Sequence, residues 1–176
     1  VVPVVRGRIS LKVPSKETPS PIHSIQAIAP AGNGQIAFLR KSNPPALVVV
    51  NAAGRVVKTI SLTGVLNPPE FAKLLLRIGT ERILIFIEKQ IKTVTTTRVV
   101  EADITTGKLS PIPAFQAEWV ETVAAFPDGS GFMIRQPLSG GISAWSRQGK
   151  KLWEGMKDGG GNEGSTSESV AVLFSR

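Results

Sequence analysis

The chain has 176 residues, of which 21 are Lys or Arg and 13 are Asp or Glu, giving a formal net charge of +8. With no Cys and one His, the sequence excludes disulfide frameworks, zinc–cysteine sites, iron–sulfur clusters, thiol nucleophiles and the usual multi-histidine metal sites. At 41% apolar residues it is too hydrophobic to be disordered throughout, and no apolar run reaches the roughly 18 residues of a transmembrane helix. The opening Val1-Val2-Pro3-Val4-Val5 lacks the charged and apolar regions of a signal peptide, so the chain reads as a processed or excised piece. Arg6–Val13 has the length and composition of a strand.

The next runs recur in a fixed order. Ile25–Ala29 turns through Pro30-Ala-Gly32-Asn-Gly34 into Gln35–Arg40. Asn43-Pro44-Pro45 leads to Ala46–Val50, and Asn51-Ala-Ala-Gly54 leads to Arg55–Leu62. That is four predicted strands and three turns. A second unit has strands at Lys73–Ile78, Arg82–Lys89, Thr95–Asp103 and Lys108–Ile112. Its first stretch is also readable as a helix over Pro69–Ile78, with Phe71, Leu74, Leu75 and Ile78 on one face. A third unit runs Glu121–Phe126, Phe132–Gln136, Gly141–Ser146 and Lys150–Gly155. Beyond it lie a polar, Gly-rich loop over 157–168 and a last apolar run, Ser169–Ser175.

Two markers make the repeat countable. Gly32, Gly79 and Gly129 each stand four residues before Ile36, Ile83 and Met133. Gly54, Gly107 and Gly149 each precede a basic residue, Arg55, Lys108 or Lys150. Tight hairpin turns need positive φ, which Gly adopts without a Cβ penalty. Four antiparallel strands repeating every 40–50 residues or so indicate the blades of a β-propeller. The expected fold is therefore all-β, with about three complete four-stranded blades over 21–62, 71–115 and 119–156. Residues 1–14 would be the outer strand of a preceding blade and 169–176 the start of a further one. The chain then reads as a segment of a larger propeller, or as a small ring closed by its end strands.

Ile142-Ser-Ala-Trp-Ser-Arg-Gln-Gly149-Lys-Lys-Leu-Trp153 resembles the blade repeat of quinoprotein-like and related bacterial propellers, with Ala144, Gly149 and Trp153 matching and Ser146 in the place of an Asp. Val100–Gly107 resembles it at Ala102, Thr106 and Gly107, with Pro111 where the Trp would follow. The resemblance implies propeller architecture over residues 21–156. It also implies an exported bacterial protein, periplasmic or extracellular, with the cytoplasm left open.

Candidate chemistry is sparse. Walker loops, Gly-x-Ser-x-Gly elbows, His-Glu-x-x-His and complete calcium loops do not occur. Asp128-Gly-Ser-Gly131 starts like a calcium loop but lacks the later acidic ligands, so it reads as a hairpin turn. His23 has no evident triad partners. Glu101 and Asp103 alternate and so share one strand face, and Glu118 and Glu121 flank Trp119. A general-acid role for any of these needs burial of one member. Trp153 is expected in the core, while Trp119 and Trp145 fit either a stacking platform or the core. Asn43-Pro44-Pro45 and Asn67-Pro68-Pro69 are rigid turns expected on the propeller face.

The favoured reading is a non-catalytic binding or scaffold module that engages a protein or polymer through face loops. Asn43, Pro44, Asn67, Pro68, Trp119 and Trp145 are its candidate recognition residues. The alternative is part of a propeller enzyme (hydrolase, lyase or quinoprotein-like) whose site lies in blades outside this chain. Neither a metal nor a cofactor is expected. Nucleic acid is disfavoured despite the charge, because basic residues are scattered and the tightest group is Arg147, Lys150 and Lys151 in one turn. Self-association is expected if the propeller is unclosed.

Overall fold

The computed structural model describes residues 25–41, 43–137 and 141–155. The predicted strands Arg6–Val13 and Ser169–Ser175, the 157–168 loop and His23 lie outside the described residues. Those described form twelve strands, and none is in a helix long and apolar enough to cross a membrane.

The strands make three antiparallel sheets, each in simple sequence order. Sheet one holds β1 (Ile25–Gly32), β2 (Gln35–Arg40), β3 (Ala46–Val50) and β4 (Val56–Ser61). Sheet two holds β5 (Phe71–Ile78), β6 (Arg82–Ile91), β7 (Val94–Asp103) and β8 (Leu109–Glu118). Sheet three holds β9 (Thr122–Ala125), β10 (Gly131–Arg135), β11 (Ile142–Ser146) and β12 (Lys151–Glu154). All six marker glycines have φ between 69° and 86°, the left-handed conformation that the hairpin reading requires.

The ambiguous Phe71–Ile78 is a strand. A register shift lies between Ala72 and Leu74, so Ala72 and Leu75, three residues apart, enter the same apolar cluster. That bulge is what imitates helical spacing. β8 runs to Glu118, well past the predicted end at Ile112. It is the last strand of its sheet, where Pro111 and Pro113 remove no ladder bond that an interior strand would need.

Sheet two lies between the other two. Leu39, Leu47 and Val49 of sheet one pack with Ile83, Ile85 and Ile87 of sheet two. On its other face, Leu84 and Phe86 pack with Phe132, Ile134 and Trp145 of sheet three. The run Ile83–Ile87 is therefore buried at every position. Phe86 meets Phe115 and Phe132 edge-on at 5.9 and 5.6 Å. Each such buried side chain contributes roughly 1.5–3 kcal/mol. Sheet one alternates as a pleated strand must: Ile36, Phe38, Val48 and Val50 share the face opposite Ala37 and Val49.

Candidate binding face

Antiparallel strands put successive turns at alternate ends of a sheet. Turns 41–45 and 92–93 therefore share one end with the connections 62–70 and 119–121 between sheets. This linker face carries Asn43, Pro44, Asn67, Pro68 and Trp119.

Backbone hydrogen bonds tie its loops together. Leu62 N–H donates to Pro45 O at 2.9 Å, and the Val65 and Leu66 N–H groups both donate to Leu62 O at 3.1 Å. Glu70 N–H donates to Asn67 O at 2.8 Å, and Asn67 N–H returns the bond to Glu70 Oε2 at 3.0 Å. Arg98 then reaches from β7 and grips Glu70 bidentately, at 3.0 Å through Nε and 2.7 Å through Nη2, with Nη2 also donating to Val65 O. Arg98 hydrogen bonding holds the Glu70 carboxyl below the ordinary range against the opposing effect of burial, and the Asn67 N–H adds to it. Glu70 is thus a clamp on the connection. An ionised, doubly bonded carboxylate is poorly suited to donate a proton at neutral pH.

The two Asn-Pro-Pro turns meet. Asn43 and Pro45 from one and Pro68 from the other line a cavity of about 350 Å³ between sheets one and two. Leu39, Leu66 and Phe71 give it an apolar lining, and Gln26, Lys41 and Thr63 bring polar groups to it. That volume and this mixture suit a ligand cleft. Pro44 and Asn67 are exposed beside it.

The tryptophans divide. Trp119 is 39% exposed on the linker face, with Lys73 Nζ 5.2 Å from its ring centroid. Trp145 is 6% exposed in β11, where its Nε1–H donates to Ser143 Oγ and its ring meets Phe115 at 4.6 Å. Trp153, expected in the core, is 53% exposed. It sits on β12, which pairs only with β11 among the described strands, and all four β12 residues are exposed.

At the opposite end Glu101 accepts from Arg82 at 2.6 Å and from Arg147 at 2.8 and 3.1 Å, joining sheets two and three. Burial pushes this carboxyl up, but the bonds from Arg147 and Arg82 outweigh it and hold it low. Glu101 and Asp103 share a face as expected, and both bridge to Arg82. The basic turn is largely neutralised: Arg147 bridges Glu101 and Lys151 bridges Glu154. Asp128 closes its own turn by accepting from Ser130 N–H and Oγ–H. Among the described residues, no three His, Asp or Glu side chains are grouped to hold a metal ion.

Sequence reasoning missed Lys41, Glu70, Phe71 and Arg98 as parts of this face. The available signal was the predicted length of the β6 and β7 strands, which exceeds that of their counterparts.

No protein-family model matches the chain, and no curated protein matches it. Solved structures do. Dipeptidyl peptidase 4 from Porphyromonas gingivalis is 18% identical at a TM-score of 0.50, over 76% of this chain and 20% of that one. The sheets are propeller blades. A eukaryotic initiation factor is 14% identical with a TM-score of 0.49, covering 74% of this chain and 31% of its own. A structural-genomics protein of unknown function from Bacteroides thetaiotaomicron VPI-5482 is 11% identical with a TM-score of 0.48, covering 73% and 30%. The chain spans between 20% and 31% of the length of these proteins. At such identities the likeness concerns the fold and not activity.

Proposed function

We propose that these blades form a non-catalytic binding module that engages a partner at the linker face. The observation that carries this reading is the cleft where Asn43, Pro45 and Pro68 converge over an apolar lining. Two rigid turns from different parts of the chain meet there, fixed by main-chain bonds and by the Arg98–Glu70 clamp. A preorganised cleft loses little entropy on binding. The carboxylates nearest to a catalytic arrangement, Glu70 and Glu101, are both held ionised by arginines.

Panning a displayed library of random peptides on the full chain tests this. Peptides should be enriched, and Leu66→Asp or Asn43→Ala should weaken them by about tenfold, while Asp128→Ala on the other end leaves them unchanged. The expected loss corresponds to about 1.4 kcal/mol. Enriched peptides indifferent to both cleft substitutions would place recognition elsewhere, and a failure to enrich any peptide counts against the module.

A further inference from the structure

β6 and β7 run ten residues each, whereas the middle strands of blades one and three run five or six. The excess projects from the linker face. β5 first pairs with β6 at Phe71↔Glu88, so Lys89, Gln90 and Ile91 continue beyond it. Their main chain pairs with β7 on one side and, among the described residues, with no strand on the other. An open edge of this kind accepts another strand.

The projecting hairpin has a defined inner face. Ile87, Lys89 and Ile91 alternate on β6 opposite Arg98, Thr96 and Val94 on β7. Ile91 and Val94, paired at the tip, are 53% and 59% exposed. Below them lies a second cavity of about 410 Å³, lined by Lys89, Thr96, Arg98 and Glu118 among others. Glu70 lines both cavities, so the Arg98–Glu70 pair is a sill between them.

Charge gives the occupant its chemistry. Lys41 lines the first cavity and Lys89 the second, and Lys92 stands at the hairpin turn. None of the three forms a salt bridge among the described residues, although Lys89 is near enough to Glu70 to help hold its carboxyl low. Of the carboxylates lining the cavities, Glu70 is taken by Arg98, which leaves Glu118 as the opposing charge.

We propose that the linker face takes an extended, acidic segment of a partner polypeptide. Its main chain adds a strand to the open edge at 89–91, its acidic side chains meet Lys41 and Lys89, and its apolar side chains enter the two cavities. This rests on the binding-module reading. Unpaired strand edges complement peptide groups, and the exposed tip is aliphatic rather than an aromatic stacking platform, which favours polypeptide over nucleic acid.

Fluorescence polarisation on the full chain tests it with four labelled probes: a peptide alternating Val and Glu, its Gln-for-Glu counterpart, its version N-methylated at alternate residues, and oligo(dT). The Val–Glu peptide should bind on the order of tenfold tighter than the Gln or N-methylated versions, and more weakly as salt rises. Lys41→Glu with Lys89→Glu should remove that advantage. Lys108→Glu with Lys150→Glu, equal in charge but on the opposite end, should keep it. Equal binding of the Glu and Gln peptides, or indifference to the Lys41/Lys89 pair, overturns the acidic-segment inference and leaves the binding module standing. Tighter binding of oligo(dT) than of any peptide overturns it in favour of nucleic acid. Silence of every probe overturns it too, and together with failed peptide panning removes the module as well.

Discussion

Gly149 shows what a single residue contributes to blade packing. Its φ is +84°, and a Cβ there would stand 2.7 Å from both Ile112 Cγ2 and the Phe115 backbone nitrogen. Gly64 has nearly the same φ, +83°, with nothing within 4 Å of the same added atom. Both substitutions to Ala carry the left-handed penalty of about 1–2 kcal/mol. Gly149→Ala adds a clash with main chain that has no rotamer to move to, worth roughly a further 1–3 kcal/mol. Urea unfolding of the two variants should therefore show Gly149→Ala losing roughly 1–3 kcal/mol more stability than Gly64→Ala. Equal losses would mean that Gly149 is there for its backbone angle alone. The angle was legible in the sequence, because Gly before a basic residue recurs at Gly54, Gly107 and Gly149. The close approach to Phe115 was not, because it depends on how blade three seats against blade two.

Strands and their junctions hold the next level. Glu101 on β7 is shared by Arg82 on β6 and Arg147 in the β11–β12 turn, so one carboxylate ties two blades. Its folded pKa lies below its ordinary value, and folding therefore favours the ionised form. That stabilisation is complete above the ordinary glutamate range and is lost as pH falls through the lower folded value. Glu101→Gln should cost about 1–3 kcal/mol at neutral pH. The melting-temperature gap between wild type and variant should then narrow on acidification; a gap that stays constant into acid would show that the carboxylate's charge is not what ties the blades. Most strands were legible at this scale, since Ala46–Val50 and Ile83–Ile87 are uniform apolar runs bounded by turns. Two departures from simple patterning came from neighbours that a sequence does not show. The bulge in β5 imitated a helix, and the edge position of β8 let a strand continue through two prolines. The face turns were legible as Pro-rich pairs. The clamp behind them was not, because Arg98 and Glu70 are 28 residues apart and meet only across the inter-blade connection.

Across the whole molecule, a stack of three blades has two outward faces, and the two are different. On blade one Ile28 lies opposite Phe38 and is 62% exposed, but Phe38, Val48 and Val50 on that face are buried. On blade three Trp153 lies opposite Ala144, on the side of β11 turned away from Trp145, beside an exposed Leu152. An exposed apolar face of this kind favours association. Among the described residues blade three alone carries one, so association between copies should pair like faces in a closed two-fold dimer. Sedimentation velocity should show monomer and dimer, and nothing larger, as concentration rises. Trp153→Lys should be monomeric, since it removes the shared face, and Ile28→Lys should dimerise like the wild type. Dimers of Trp153→Lys would point to a contact elsewhere on the chain, and a wild-type chain that stays monomeric at every concentration would show that the blade-three face does not drive association.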